Sequence, residues 1–221
     1  TGPGFETLNS VVMTGSKAFV AVGENSGVVV SKNANFAKGS EKYLTSKNGG
    51  VRCKVGNTNT NCDAKVELDR VALAQGSTSR LYAVGDKNHV RQSSDGGVNW
   101  VQLDTKACNS ENVFWHGAFF TSEDLGFIVG QSGHACKTTD GGRTWTPLTR
   151  YANESDTYYS NLHSVYGTKN FGKNQVLDTE QTEITDTAST FYDTYFIAGA
   201  DGFLCRSTDE LETCVPVPNL P

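Results

Sequence analysis

The sequence predicts an all-β protein built from four copies of one repeat. Short segments rich in Val, Tyr, Phe and Thr alternate with turn clusters, and the 221 residues include 23 Gly with few helix-favouring runs. The segments "VAVGENSGVVVSKNANFAK" (20–38), "YAVGDKNHVRQSSDGGVNW" (82–100), "FIVGQSGHACKTTDGGRTW" (127–145) and "FIAGADGFLCRSTDELETC" (196–214) repeat one pattern. In each, an aromatic or β-branched residue leads through two residues to a glycine: Gly23, Gly85, Gly130 or Gly199. An Asn or Asp stands ten residues beyond that glycine, as Asn33, Asp95, Asp140 and Asp209.

The recurrence decides what the aspartate is. Taken alone, Asp140 beside two glycines reads equally well as a catalytic carboxylate in a tight loop. A residue found in every copy belongs to the fold instead. In "SSDGGVNW" (93–100) the Asp95 carboxylate can accept from N–H groups of the turn, Gly97 supplies a positive φ, and Trp100 covers the turn from the core side. Asp140, Gly142 and Trp145 repeat those roles. The fourth copy keeps Asp209 but has lost the glycines, and Cys214 stands where the tryptophans stand. Cys205 and Cys214 then face each other across the hairpin, so a disulfide is expected in place of the aromatic anchor. The first copy, with Asn33 in "SKNANF", is the most degraded.

These residues resemble the Asp-box, or BNR, repeat of sialidases, sortilin-type receptors and related β-propellers, whose pattern is S/T-x-D-x-G-x-x-W. The longer string "KTTDGGRTWTPL" (137–148) is most similar to the propellers of the photosystem II stability and assembly factor type, the YCF48-like family. The likeness is specific in residues 82–103 and 127–148, recognisable in 196–217 and faint in 20–44. It implies a small β-propeller with four blades of four antiparallel strands. The Asp-box hairpins would join the third and fourth strands of a blade, on the face away from a ligand site.

A single propeller domain over 1–221 then holds blades at about 5–46, 65–104, 112–149 and 160–218. Blade one reads "TLNSVVMTG", "KAFVAVG", "GVVVSK" and "EKYLTS"; blade two reads "KVELDRVALAQG", "RLYAVG", "HVRQSS" and "WVQLD". Blade three reads "NVFWHGAFFTS", "LGFIVG", "HACKTT" and "WTPLT"; blade four reads "SNLHSVYGTK", "TYFIAGA", "FLCRST" and "CVPVP". With no strand exchanged between the termini, a ring of four would close by side-chain packing. A larger propeller, or one ring shared by two chains, are the alternatives. Extra residues concentrate in two inter-blade connections, 47–64 and 150–160, which are expected as loops on the ligand face. Cys53–Cys62 is expected to pin the first, a closure worth about 2–3 kcal/mol, and Cys108–Cys136 is the pair that remains. The acidic, Thr-rich stretch 169–192 reads as a solvated excursion between the first two strands of blade four.

Composition narrows the function classes. A formal charge of −5 leaves no basic stripe, so no nucleic-acid partner is expected. No apolar run approaches the ~18–20 residues of a membrane span, so no membrane insertion is expected. Six cysteines without a C-x-x-C pair favour disulfides over structural zinc, and with them an extracellular or cell-surface location reached through the secretory pathway. The sequon at Asn153 fits N-glycosylation, and the start "TGPGFETL", without Met, reads as a processed end.

The expected ligand face offers several candidate sites. Aligning the innermost strands brings Asn9, Asp69, His116 and His163 to one equivalent position near the channel mouth; Asp69, His116 and His163 are weak candidates for a metal, against a mouth lined by polar residues. "NTNTNCD" (57–63) spaces oxygen ligands by two but lacks the bidentate Glu of a calcium loop. Trp115, Tyr151, Tyr158 and Tyr159, with Tyr166, offer aromatic platforms for a ligand or packing between blades. No arginine triad suits a sialidase, and among Asp69, Glu111 and Glu154 nothing in the spacing singles out a pair of catalytic carboxylates. The YCF48-like resemblance implies a basic, arginine-rich partner surface, whereas this chain is acidic. The expected function is therefore a noncatalytic binding or self-assembling module without a cofactor, whose partner is a glycan, a protein or further copies of itself. The alternatives are a glycoside-directed hydrolase or an assembly factor for a membrane protein complex.

Overall fold

The computed structural model describes residues 7–16, 18–31, 43–46, 52–55, 58–61, 66–108, 112–148, 161–169 and 192–217. Blade one is the antiparallel meander β1 (Leu8–Gly15), β2 (Ala18–Gly23), β3 (Val28–Ser31) and β4 (Tyr43–Ser46). A separate hairpin follows, β5 (Arg52–Val55) with β6 (Thr58–Asn61). Blade two is β7 (Leu68–Leu73), β8 (Leu81–Gly85), β9 (Val90–Ser93) and β10 (Val101–Gln102). Blade three is β11 (Trp115–Phe120), β12 (Gly126–Gly130), β13 (Ala135–Thr138) and β14 (Thr146–Pro147). Blade four is β15 (Leu162–Lys169), β16 (Tyr192–Gly199), β17 (Leu204–Ser207) and β18 (Val215–Pro216). The fold is all-β with four four-stranded antiparallel blades, as the repeats predict.

The first strand of every blade carries a bulge at the same place. Leu8 pairs with Gly23 and Ser10 with Val22, which leaves Asn9 as the extra residue; Asp69, His116 and His163 hold that position in the next three blades. The repeat glycine sits opposite the bulge. A Cβ on Gly23, Gly85, Gly130 or Gly199 would run into the carbonyl oxygen of Thr7, Glu67, Phe114 or Asn161. Each of those carbonyls also accepts the N–H of the residue after the glycine: Glu24, Asp86, Gln131 or Ala200. The glycine is therefore fixed by close backbone approach.

The core lies between blades. Val20, Val22, Val28 and Val30 of blade one cluster with Leu68, Val71, Leu81 and Ala83 of blade two. Tyr82, Val84 and Val90 cluster in turn with Trp115, Phe120 and Ile128 of blade three. Phe119, Phe127, Val129 and Ala135 then cluster with Leu162, Val165 and Ile197 of blade four. Blades two and three thus each pack one face on the preceding blade and the other on the following one. Each fully buried side chain contributes about 1.5–3 kcal/mol.

β1 packs on β7, β7 on β11 and β11 on β15, but β15 and β1 make no comparable contact. The described blades form an arc rather than a ring closed by side-chain packing. The insertion 47–64 is also more than a loop. It holds β5 and β6, and β5 lies beside β10 at the outer edge of blade two. Asn59 and Asn61 are strand residues of β6, which is not a calcium-loop conformation. β15 and β16 pair as far as Lys169↔Tyr192, so the acidic stretch leaves and re-enters blade four at paired positions.

Candidate binding site at the channel mouth

The Asp-boxes define the face opposite the mouth. Ser93 Oγ donates to Asp95 Oδ1 at 2.9 Å and accepts the Gly97 N–H at 2.9 Å, while Asp95 Oδ1 accepts from Asn99 N at 2.8 Å. Thr138 and Asp140 repeat this with Gly142 and Thr144, and Ser207 and Asp209 repeat it with Leu211 and Thr213. Gly97 and Gly142 have φ of 89° and 86°, as the turn requires. Trp100 and Trp145 are buried beneath their turns, and Trp100 Nε1 donates to Gly97 O at 2.8 Å. Where the fourth copy lacks glycine, Glu210 and Leu211 adopt φ of 57° and 66°, and the Cys205–Cys214 disulfide spans the hairpin. Cys108–Cys136 is likewise formed. Asn33, the Cys53–Cys62 pair and Asn153 lie outside the residues whose side chains are described.

Hydrogen bonding tunes these carboxylates. Burial is the largest single influence on Asp95 and on Asp140 and pushes each upward. The hydrogen bonds from Asn99 and Ser93, and from Thr144 and Thr138, together outweigh it and hold both below the ordinary value. The Thr213 hydroxyl and N–H lower Asp209. A depressed folded-state value stabilises the fold above the unfolded pKa of about 3.9, and the contribution is lost as pH falls through the folded value. Asp140→Ala is expected to cost about 1–2 kcal/mol, comparable with a lost cap. In thermal melts the Tm of the parent protein should fall as pH drops below about 4, and Asp140→Asn should flatten that fall. Equal slopes for the two proteins would refute the assignment.

The opposite face collects the bulge residues. Asn9 Nδ2 donates to Leu68 O at 3.1 Å and Glu67 Oε1 at 3.3 Å, tying β1 to β7. His116 Nδ1 lies 2.5 Å from Asp69 Oδ2, and the His116 and His163 ring centroids are 5.4 Å apart. A carboxylate, two imidazoles and an amide thus line up across four adjacent inner strands. Asp69 already engages Nδ1 of His116, so Nε2 is the nitrogen left for a ligand. Among the described residues no three His, Cys, Asp or Glu side chains converge as metal ligands do. The row can accept and donate hydrogen bonds along an elongated polar ligand, and its bulges hold it at the mouth.

Trp115 is not part of that surface. It is fully buried between blades two and three, because the bulge at His116 sets it on the same face of β11 as Ala118 and Phe120. Tyr166 is exposed on β15; Tyr151, Tyr158, Tyr159, Glu111 and Glu154 lie outside the described residues. Arg91 is buried between blades one and two and donates to Ser26 Oγ at 3.2 Å, so it is unavailable to clamp a substrate. Composition hinted at none of this. A buried arginine on an outer strand would be legible only from the repeat register.

Comparison with known proteins fits this geometry. The model of the family described as photosynthesis system II assembly factor YCF48 matches residues 55–153, which include blades two and three. No curated protein matches the chain. Its fold is similar to the structure of YCF48 bound to D1 peptide, with 11% identity, a TM-score of 0.59, and coverage of 97% of this chain and 54% of that one. YCF48 from Cyanidioschyzon merolae gives 14% identity, a TM-score of 0.59, and coverage of 95% and 55%. The GH74 enzyme of Niastella koreensis gives 13%, 0.60, and coverage of 96% and 30%. The chain spans about half the length of the YCF48 structures it resembles. Repeat pattern, blade geometry and these comparisons agree: the chain is a β-propeller of BNR, or Asp-box, repeats that is similar to the YCF48 family over residues 55–153.

Proposed function

We propose that the chain is a noncatalytic protein-binding module that holds an extended polypeptide segment across its channel mouth, in an oxidising compartment outside the cytoplasm. The row Asn9, Asp69, His116 and His163 carries this reading, since it sets polar groups at matching bulges of neighbouring blades. Such spacing suits the alternating polar groups of an extended backbone better than a compact small molecule. A YCF48 structure holds a D1 peptide, which supports a peptide as the ligand class. The two described disulfides support the compartment.

The test is binding to a tiled array of unstructured peptides beside a glycan array, followed by titration of the best peptide. A His116→Ala/His163→Ala protein should bind that peptide about tenfold more weakly, a loss of about 1.4 kcal/mol. Binding to glycans alone, or peptide binding indifferent to those two histidines, would defeat the proposal. Release of reducing sugar from a glucan would favour a hydrolase instead.

A further inference from the structure

The two ends of the arc expose the halves of an interface that the chain itself builds three times. On the face toward the preceding blade, the inner strand carries Leu68, Val71 and Leu73 in blade two, and Trp115, Ala118 and Phe120 in blade three. Blade four places Leu162, Val165 and Gly167 there. These positions are buried or half-buried against the blade before. Their counterparts in blade one are Leu8, Val11 and Met13, and these are 48%, 64% and 53% exposed. Three adjoining apolar side chains are in water where every later blade covers them.

The face of blade four toward a following blade is open in the same way. Val20, Val28, Val84, Val90, Val129 and Ala135 are buried at that face in blades one to three. On blade four, Ala198 and Arg206 are exposed, and Tyr166 is 60% exposed. A polar contact also recurs at this seam. Gln92 of blade two donates to Gly141 O in the Asp-box turn of blade three at 2.6 Å, and Lys137 of blade three meets Glu210 and Glu212 in that of blade four at 2.8 and 3.0 Å. Arg206 holds the same place on blade four and faces outward.

We infer that a second copy of this chain covers both ends, with blade one of each copy seated on blade four of the other. The contact is head-to-tail, and two such contacts related by a twofold axis close an eight-bladed ring, within the roughly 4–8 blades of propellers. The structure favours this occupant because the exposed faces are complementary in the register already used between blades one and two, two and three, and three and four. Closure would bring two rows of Asn9, Asp69, His116 and His163 to one axis, completing the mouth that a single chain leaves half-built. The inference does not depend on which ligand the mouth takes.

Sedimentation equilibrium and light scattering on the purified chain test it. The expected mass is twice the 23.8 kDa of one chain, without further growth as concentration rises. Val11→Asp and Tyr166→Asp should each halve that mass. Both sites are exposed within a single arc, so each variant should keep its circular dichroism, and Arg143→Glu on an exposed Asp-box turn should leave the mass unchanged. Mixing the Val11→Asp and Tyr166→Asp proteins should restore association, because each retains the face that the other lacks. A single-chain mass at every concentration, a dimer indifferent to both variants, or a mass that climbs without limit would overturn the closed ring.

Discussion

Gly85→Ala should destabilise the protein by on the order of 3 kcal/mol, at the upper end of the range for overpacking. An added Cβ would meet the Glu67 carbonyl, which is backbone and already holds the Asp86 N–H. Neither partner is a side chain that can swing aside. Relief requires β7 and β8 to separate at the bulge, and this moves Leu68 out of the layer between blades one and two and Asp69 away from His116. At roughly 2–4 °C per kcal/mol for a chain of this size, Tm should fall by about 6–12 °C. Gly96→Ala is the control. Its φ is +74° but nothing lies within 4 Å of the added methyl, so it should lose only about 1–2 kcal/mol, the cost of a left-handed backbone. Equal losses for the two variants would mean that close approach is not what selects the repeat glycine.

That glycine shows how far the sequence could be read. Its recurrence, its distance from the Asp-box and the four strands around it were legible, because each repeat spells the same local chemistry. The reason for it was not, since a glycine before a turn looks like a turn residue until the opposing carbonyl is placed. Trp115 failed for a related reason. Strict alternation puts it on the face of Gly117 and Phe119, and the extra residue at His116 moves it to the other. The bulge position itself was legible in part, because aligning the repeats brought Asn9, Asp69, His116 and His163 together. The hairpin β5–β6 was hidden in a polar stretch whose strands lack apolar alternation. The open arc was hidden too. Val11 and Met13 have the composition of core residues, and only the neighbour that fails to cover them reveals an edge.

Reduction of the disulfides should have the other large effect, and the two described bridges should differ. Cys108–Cys136 closes a sequence separation of 28 and Cys205–Cys214 one of 9, so the lost constraint on the unfolded chain is worth about 3.6 and about 2.7 kcal/mol. The longer bridge also ties the turn after blade two to a fully buried position on β13, within the layer between blades two and three. The Cys108→Ala/Cys136→Ala protein should therefore melt about 7–14 °C below the parent, and the Cys205→Ala/Cys214→Ala protein about 5–11 °C below it. Adding reductant should lower the parent's Tm and leave a protein lacking both bridges less affected. A marginally stable domain of this size has about 5–15 kcal/mol in total, so losing two such bridges approaches unfolding. A loss of that size would tie the bridges to the proposed compartment, because a chain that depends on them would not persist where thiols stay reduced. If reductant leaves the melting curve unchanged, that tie disappears, and with it the main support for placing the protein outside the cytoplasm.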